Sequence, residues 1–345
     1  MSPEVSVLMP CHNGARFLRS SIDSVLAQTF RNFELIVVDD GSTDDSRAII
    51  ERAAREDARV RLVSLDANCG VVGAINAGLH LAAGAWIARM DADDLSAPER
   101  LERQLAWLQA NNIDLCGTWF VEFGRGLSRA VRWPTSVSGV RAALLFQNAL
   151  CHPTVMGKRK VFETHGYRES HALVEDYDLW SRASVDFRIA NMPDVLLRYR
   201  RHAGQVSTTR REAMEAVNRS IREATLRRQG FVPTEEDLSF HHMVREGRSI
   251  HRLDDLLGIE DWLLRLHDAH TDADARRVVA LQWLRACIRA APLGSRMLKA
   301  WRASPLRRQS GVGARATVDL SVLSLLRLDY CSPLFAAIRR LGLSA

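Results

Sequence analysis

The first hundred residues alternate between two hydrophobic periods, and nothing else in the chain restricts the fold as strongly. "VSVLM" (5–9) is a short apolar, β-branched run that stops at Pro10. "ARFLRSSIDSVLAQ" then places Phe17, Leu18, Ile22, Val25 and Leu26 at helical spacing. "FELIVVDDGSTDD" predicts a buried strand ending in the turn Asp39, Asp40, Gly41, Ser42. A helix through "SRAIIERAARED" follows, with Thr43 or Ser42 as its expected cap. "VRLVSL" predicts a third strand, "VVGAINAGLHLAAG" a helix closed by Gly84, and "AWIARM" a fourth strand. Strands separated by helices imply an α/β fold, a mostly parallel sheet with helices on both faces.

Further on, "APERLERQLAWLQANN" predicts a helix with Pro98 near its start, and "IDLCGTWFVEF" a strand. Residues 124–160 read as irregular, "LVEDYDLWSRAS" as a short helix and "DVLLRYRRH" as a late strand. From about Thr208 the pattern is helical to the end. Two domains are expected, 1–230 for the α/β part and 231–345 for a helical, basic region.

The bulk numbers fit that division. A chain of 345 residues, 47% hydrophobic and 26% charged, has the composition of a globular protein with a sizeable core. No window approaches eighteen uninterrupted apolar residues, so no membrane-spanning helix is expected. The start of the chain has neither the basic leader nor the apolar run of a secretory signal. Six widely spaced cysteines lack zinc spacing and read as reduced thiols, which points to a cytoplasmic location. From Ala286 onward ten Arg or Lys face two acids, about +8, so the remaining residues are near −2 and the net charge of +6 comes from the tail.

In open α/β sheets ligands bind outside the carboxyl ends of the strands. Read in order, those ends are "PCHNG", "DDGSTD", "DANCG" and "DADD", each rich in carboxylates, amides or glycine. No G-x-G-x-x-G follows the first strand, which argues against a nicotinamide cofactor.

From Val5 to about Ser207, roughly the first 60% of the chain, the sequence resembles the family 2 glycosyltransferases, inverting enzymes of the GT-A fold. The resemblance lies in six ordered blocks: "VSVLMPCHNGARFLRSSIDSVLAQTF", "FELIVVDDGSTDDS", "NCGVVGAINAGLHLAAGAWIARMDADDLSAPERLERQ", "CHPTVM", "VEDYDLWSRA" and "LRYRRHAGQVS". It implies a GT-A nucleotide-diphospho-sugar transferase fold followed by a helical C-terminal region. It also implies a metal-dependent, inverting glycosyltransferase of hexosyltransferase type. Such an enzyme moves a sugar from a nucleoside diphosphate, UDP being expected, to a hydroxyl of a bacterial surface glycan or lipid-linked acceptor.

The acid cluster then acquires a reason. The donor's diphosphate gains negative charge as it leaves, and a divalent cation (Mn²⁺ or Mg²⁺) with oxygen ligands neutralises it. "DADD" fits the family's D-x-D pattern, with Asp93 as direct ligand and Asp91 on the donor ribose or on the metal through water. Asp94 supports them; the alternative is that Asp94 or Ser96 caps the next helix.

In "VVDDGSTD" the resemblance makes Asp39 the reader of the base, with Asp40 beside it, and Pro10, His12 and Asn13 border the same nucleotide pocket. Asn76 and Gly78 match the donor-side helix, where Ile75 stands at a position that is Arg in some relatives.

"VEDYDLW" aligns Glu175 and Asp176 with the family's E-D motif, Asp176 as general base and Glu175 as its orienting partner. On a helix Asp176 and Trp180 share a face, which makes Trp180 a wall of the sugar pocket or core; Asp178 is structural. His152 of "HPTVM" is expected to line the acceptor or donor sugar. Arg201 and His202 are expected to close over the diphosphate, His202 also as a metal ligand.

Residues 231–345 lie outside the resemblance. His241, His242, His251, His267 and His270 lack metal-site spacing and are expected to be solvated. Arginine-rich, aromatic-bearing helices suit peripheral contact with the inner face of the cytoplasmic membrane, or packing on a partner. No nucleic-acid-binding module is present. The alternatives to transfer are a non-catalytic nucleotide-sugar binder or scaffold, and a nucleotidyltransferase.

Overall fold

Alternate side chains of the first strand, β1 (Val5–Cys11), face opposite sides of a central sheet. In the computed structural model, which describes residues 2–124, 128–202 and 211–335, Val5, Val7, Met9 and Cys11 join one buried cluster. The same cluster holds Leu18, Ile22 and Val25 of α1 (Ala15–Leu26) and Ile50 and Ala53 of α2 (Ser46–Glu56). Leu8 points the other way, with Ile36 and Val38 of β2 (Phe33–Asp40), towards α3 (Gly70–Leu81). Gly78 permits that approach: a Cβ on it would lie 3.2 Å from Val38 Cγ2 and 3.3 Å from Leu8 Cδ2. Helices therefore cover both faces, as the alternation of periods predicts.

The other strands are β3 (Val60–Leu65), β4 (Trp86–Arg89), β5 (Leu95–Ser96), β6 (Leu115–Gly124), β7 (Arg129–Val131), β8 (Met156–Lys158) and β9 (Ile189–Arg201). Their order is β3-β2-β1-β4-β8-β6-β9-β5, with β7 beside β6. The four strands β3, β2, β1 and β4 are mutually parallel, and β6 runs parallel to β9. Between these groups β8 is antiparallel to both neighbours, so the sheet is mixed. Residues 156–158 lie in the stretch read as irregular. A three-residue strand is too short to show a period, and Gly157 packs where a Cβ would stand 2.9 Å from Leu115.

Helix α4 (Arg100–Ala110) adds Leu101, Leu105 and Leu108 to the first cluster. Its expected caps are used elsewhere: Ser96 lies in β5 and Asp94 accepts from the backbone of Arg200, while Glu99 occupies the N-cap position. α5 (Val137–Ala143), α6 (Arg159–His165) and α7 (Glu175–Ala183) complete this part of the chain.

By its contacts the chain divides into two compact units, one of Met1–Val140 with Asn148–Ile221 and one of Arg141–Gln147 with Arg222–Ala345. The division falls within α8 (Arg211–Arg228). The second unit is helical: α9 (Glu235–Met243), α10 (Leu253–Ala269), α11 (Ala273–Arg289), α12 (Ser295–Ala303), α13 (Pro305–Gln309) and α14 (Ala314–Leu326). Trp262, Trp283, Trp301, Leu263, Val279 and Met297 are buried in its core. Thr234 and Asp237 cap α9 reciprocally, each side chain accepting from the other's backbone N–H.

Two of the histidines expected to be solvated are buried. His241 Nε2 lies 2.8 Å from the Leu145 carbonyl, its Nδ1 accepts from Trp262 Nε1 at 3.1 Å, and burial pushes its pKa down to about 3. His267 is 5% exposed. A helical histidine is polar in composition yet serves as core where, as in His241, both ring nitrogens find partners. Among the described residues no helix is long and apolar enough to cross a membrane. Residues 203–207 of the last sequence block and 336–345 of the basic tail lie outside the described residues.

Candidate active site

β4 delivers the acid loop. Asp91, Asp93 and Asp94 follow it, and one oxygen from each lies within 4.8 Å of the others. Asp94 is fully buried; its Oδ1 accepts the Arg200 backbone N–H at 2.7 Å and its Oδ2 is buried without a hydrogen-bond partner. Burial, then the neighbouring Asp91 and Asp93, hold its pKa well above the carboxylate range. Burial also raises Asp91, against the pull of Arg89, whose guanidinium pairs with it at 2.7 Å. Beneath the loop, buried Arg100 donates to the Arg89 carbonyl at 2.8 Å, and burial lowers its pKa to about 10. Two buried guanidinium groups thus offset part of the crowded negative charge.

The end of β9 meets this loop. His202 Nε2 lies 2.8 Å from Asp93 Oδ2. Arg200 Nε donates to the Asp93 carbonyl at 2.6 Å, and its guanidinium lies between the rings of Phe17 and Phe123 at 4.4 and 4.6 Å. Arg201, expected on the diphosphate, is placed otherwise: it is exposed, with Nη1 3.9 Å from Glu122. The pleat is the reason. Residues 200 and 202 share one side of a strand and 201 takes the other.

At the same carboxyl edge of the parallel strands, the loops after β1 and β2 lock together. His12 Nδ1 donates to the Asp40 carbonyl at 2.8 Å. Asn13, at φ 52°, accepts the Thr43 N–H at 2.8 Å and donates its own N–H to Ser42 Oγ at 3.0 Å. Ser42 and Thr43 therefore bind the first loop and do not cap α2; Asp45 occupies the N-cap position without a side-chain cap bond, and Asp44 before it accepts the Ser46 N–H at 3.0 Å. Asp39 and Asp40 are buried, each with one oxygen on a backbone N–H, of Ser42 at 3.2 Å and of Cys69 at 2.7 Å. Gly41 turns the chain at φ +64°, where a Cβ would strike the backbone of Asn68 at 2.8 Å. Pro10 lies on β1 opposite Val38.

α7 brings the second pair of acids. Glu175 is 7% exposed and its pKa is pushed up to about 7 by burial and then by Asp176. Asp176 is half-buried and pushed up to about 6, burial outweighing hydrogen bonds from the Tyr177 N–H and Asn148. Asp91 raises both carboxyls, which places the acid loop within electrostatic reach of the pair. His152 Nε2 lies 2.8 Å from the Tyr167 hydroxyl and its Nδ1 3.8 Å from Glu175 Oε1; burial and the charge on Arg89 hold the imidazole neutral. Asn76 faces the same loop and donates to the Tyr167 carbonyl at 3.2 Å. Trp180 has no exposed surface; its ring packs edge-on against His152, Phe162 and Tyr167. Of the two roles expected for it, it takes the core role and leaves the pocket wall to others. Asp178 forms a buried pair with Arg182 at 2.8 Å, a structural role.

The family model described as Glycosyl transferase family 2 matches residues 6–166. A putative glycosyltransferase of Bacillus subtilis, EpsE, is 36% identical over 57% of this chain and 73% of its own length. The O-antigen biosynthesis glycosyltransferase WbnJ of Escherichia coli is 30% identical over 64% of this chain and 88% of its own.

The chain belongs to glycosyltransferase family 2. It is a transferase enzyme, and its α/β unit has the GT-A fold. The TarS structure from S. aureus (residues 1–349, in complex with UDP-GlcNAc) shares that fold at TM-score 0.57 and 19% identity, covering 92% of this chain and 90% of that 1–349 chain.

Within this glycosyltransferase, four side chains that sequence reasoning passed over stand at the site: Arg89, Asn148, Tyr167 and Arg200. Arg200 was legible from period two, since it shares a strand face with His202. Arg89 precedes the acid loop by two residues and could have been read as its counter-charge. Asn148 and Tyr167 come from connecting segments, where no periodicity says which way a side chain turns.

Proposed function

We propose that this glycosyltransferase moves a sugar, with inversion, from a nucleoside diphosphate carrying uridine to a hydroxyl of a bacterial surface glycan or its lipid-linked precursor. The observation that carries the reading is that two acid groups stand on different elements within electrostatic reach of each other: Asp91, Asp93 and Asp94 after β4, and Glu175 with Asp176 on α7. A binder has no need of the second group. Uridine is favoured by the complex of TarS with UDP-GlcNAc, and the surface glycan by the name of WbnJ.

The donor set fits a hard divalent cation. Three carboxylates crowd together, the buried Oδ2 of Asp94 lacks a partner, and an imidazole nitrogen touches Asp93. Asp93 and Asp91 would hold Mn²⁺ or Mg²⁺ with His202, and Asp94 would support them. Bound there, the cation supplies positive charge next to the diphosphate. Asp39 accepts the base N–H, with Asp40, Pro10, His12 and Asn13 around the nucleotide and Asn76 on the donor-side helix. Arg200, in place of Arg201, secures the closing strand over the acid loop. Asp176 takes the acceptor hydroxyl's proton as that oxygen attacks the anomeric carbon, while Glu175 and His152 line the sugar side.

Membrane contact from the cytoplasmic side belongs to the same reading. On α14 Val318, Val322 and Leu325 are 60%, 45% and 84% exposed, in a region where basic residues far outnumber acids. Flotation with anionic but not neutral vesicles is the expected result; equal recovery with both counts against it.

The function is tested by thermal shift with UDP, GDP and dTDP, with Mn²⁺ or with EDTA. The expected result is stabilisation by UDP that needs Mn²⁺ and is lost in Asp93→Asn. Stabilisation by another nucleotide alone overturns the uridine assignment, and metal-independent stabilisation overturns the metal assignment.

A further inference from the structure

We propose that Asn148 is a positioning residue for Asp176: its side-chain amide fixes the plane of the carboxylate and favours the ionised form. The inference rests on the reading of Asp176 as the base. Asn148 Nδ2 donates to Asp176 Oδ2 at 2.6 Å, and the Tyr177 N–H donates to Oδ1 at 2.7 Å. Each oxygen thus has a donor, and the two donors come from different segments of the chain. Rotation of the carboxylate would break both bonds.

The orientation of the amide is itself determined. Asn148 Oδ1 accepts the Leu150 N–H at 3.2 Å, so the nitrogen is the atom left to face Asp176. The backbone around it is anchored. Ala149 and Leu150 are buried, and the Ala149 carbonyl accepts from the fully buried Asn191 of β9 at 2.9 Å. Asn148 is also the first residue after the segment Arg141–Gln147, so it marks the chain's return to the α/β unit. Fixed on both sides, the amide costs little entropy to hold in place when the acceptor sugar arrives.

Its chemical effect follows from charge. A donor aimed at a carboxylate stabilises the anion more than the acid. Burial, and then Asp91 on the acid loop, otherwise work against ionisation of Asp176, and Glu175 beside it on the same helix is a like charge; buried Tyr167 and Cys151 stay protonated and add no charge. Among the described residues, Asn148 is the side chain whose hydrogen bond to Asp176 opposes them.

The test is a titration of the full chain labelled with ¹³C at the aspartate carboxyls, followed by NMR. The Asp176 resonance is assigned by its loss in Asp176→Asn. In Asn148→Ala its midpoint is expected to move up, by about tenfold in proton affinity, as expected for one lost bond to a charged group. Asn148→Asp keeps an acceptor for Leu150 and replaces the donor by a second carboxyl, so a larger upward shift is expected. The acid limb of the pH–rate profile for nucleoside diphosphate release is expected to move in the same direction. Nucleoside diphosphate release that persists in Asp176→Asn removes the base reading on which the inference rests, and is distinct from a failure of the Asn148 contact. An Asp176 midpoint unmoved in both Asn148 variants overturns the proposal.

Discussion

His202 and Asp93 are 109 residues apart in the chain, yet the imidazole Nε2 of one lies 2.8 Å from a carboxylate oxygen of the other. The contact joins the end of β9 to the acid loop after β4 and brings an imidazole to a cluster of carboxylates. If that cluster holds the cation, His202→Ala weakens Mn²⁺-dependent UDP binding roughly 10- to 100-fold, the usual cost of losing one supporting ligand. Asp93→Asn abolishes the metal dependence. Calorimetric titration of UDP in Mn²⁺ separates the two, and equal affinity in wild type and both variants contradicts the assignment.

Neighbouring arginines on β9 are expected to behave differently. Arg200, its guanidinium between two phenylalanine rings, holds the backbone of the acid loop, whereas exposed Arg201 reaches the half-buried Glu122. Arg200→Ala should lower donor affinity at least about tenfold, the size of one charge-assisted contact. Arg201→Ala should leave it within about twofold, as for an exposed ion pair. The reverse order would mean that the strand end rearranges when donor binds.

Activity should rise with pH through the range in which the α7 pair loses its protons. Burial pushes Asp176 up to about 6 and Glu175 up to about 7. The base works ionised, so kcat/KM falls as pH falls through that window and levels off above it. A profile flat from about pH 5 to 8 would exclude this pair as the source of the base.

The same burial makes Asp176 costly to the fold. Its pKa in the folded chain lies above the unfolded value, so the unfolded chain ionises it first and stability is lost as pH rises from about 4 to 7. Asn cannot ionise. Asp176→Asn should therefore be more stable than wild type at pH 7.5, by about 1–2 kcal/mol after allowing for partial exposure, and near equal at pH 4. Urea unfolding at the two pH values measures the difference; a variant less stable at pH 7.5 contradicts it.

The parallel half of the sheet was plain in the sequence because each element is long enough to show its period: β1, β2 and β3 with α1, α2 and α3 carry it in every turn or pleat. The acid loop was legible because three carboxylates in four residues need a reason, and the E-D pair through its match to the family motif, since an acidic first helix turn is ordinary by itself. What escaped notice was short or lay in connections. β8 has three residues, and Asn148 and Tyr167 sit in segments whose direction is set by partners such as Asn191, Asn76 and His152 far along the chain. Trp180 and His241 show a different limit. Spacing puts a side chain on a face, but only packing says whether that face meets solvent, and both are buried.

The central claim is that Asp176 takes the proton from the acceptor in a metal-dependent sugar transfer. Nucleoside diphosphate release from a panel of UDP-, GDP- and dTDP-sugars, in Mn²⁺ and in EDTA, tests it most directly for wild type and Asp176→Asn. The account predicts turnover of a UDP-sugar by wild type, its loss in EDTA, and a fall of at least about a hundredfold in the variant, the share a general base contributes. Equal turnover by wild type and Asp176→Asn, or turnover untouched by EDTA, would contradict it.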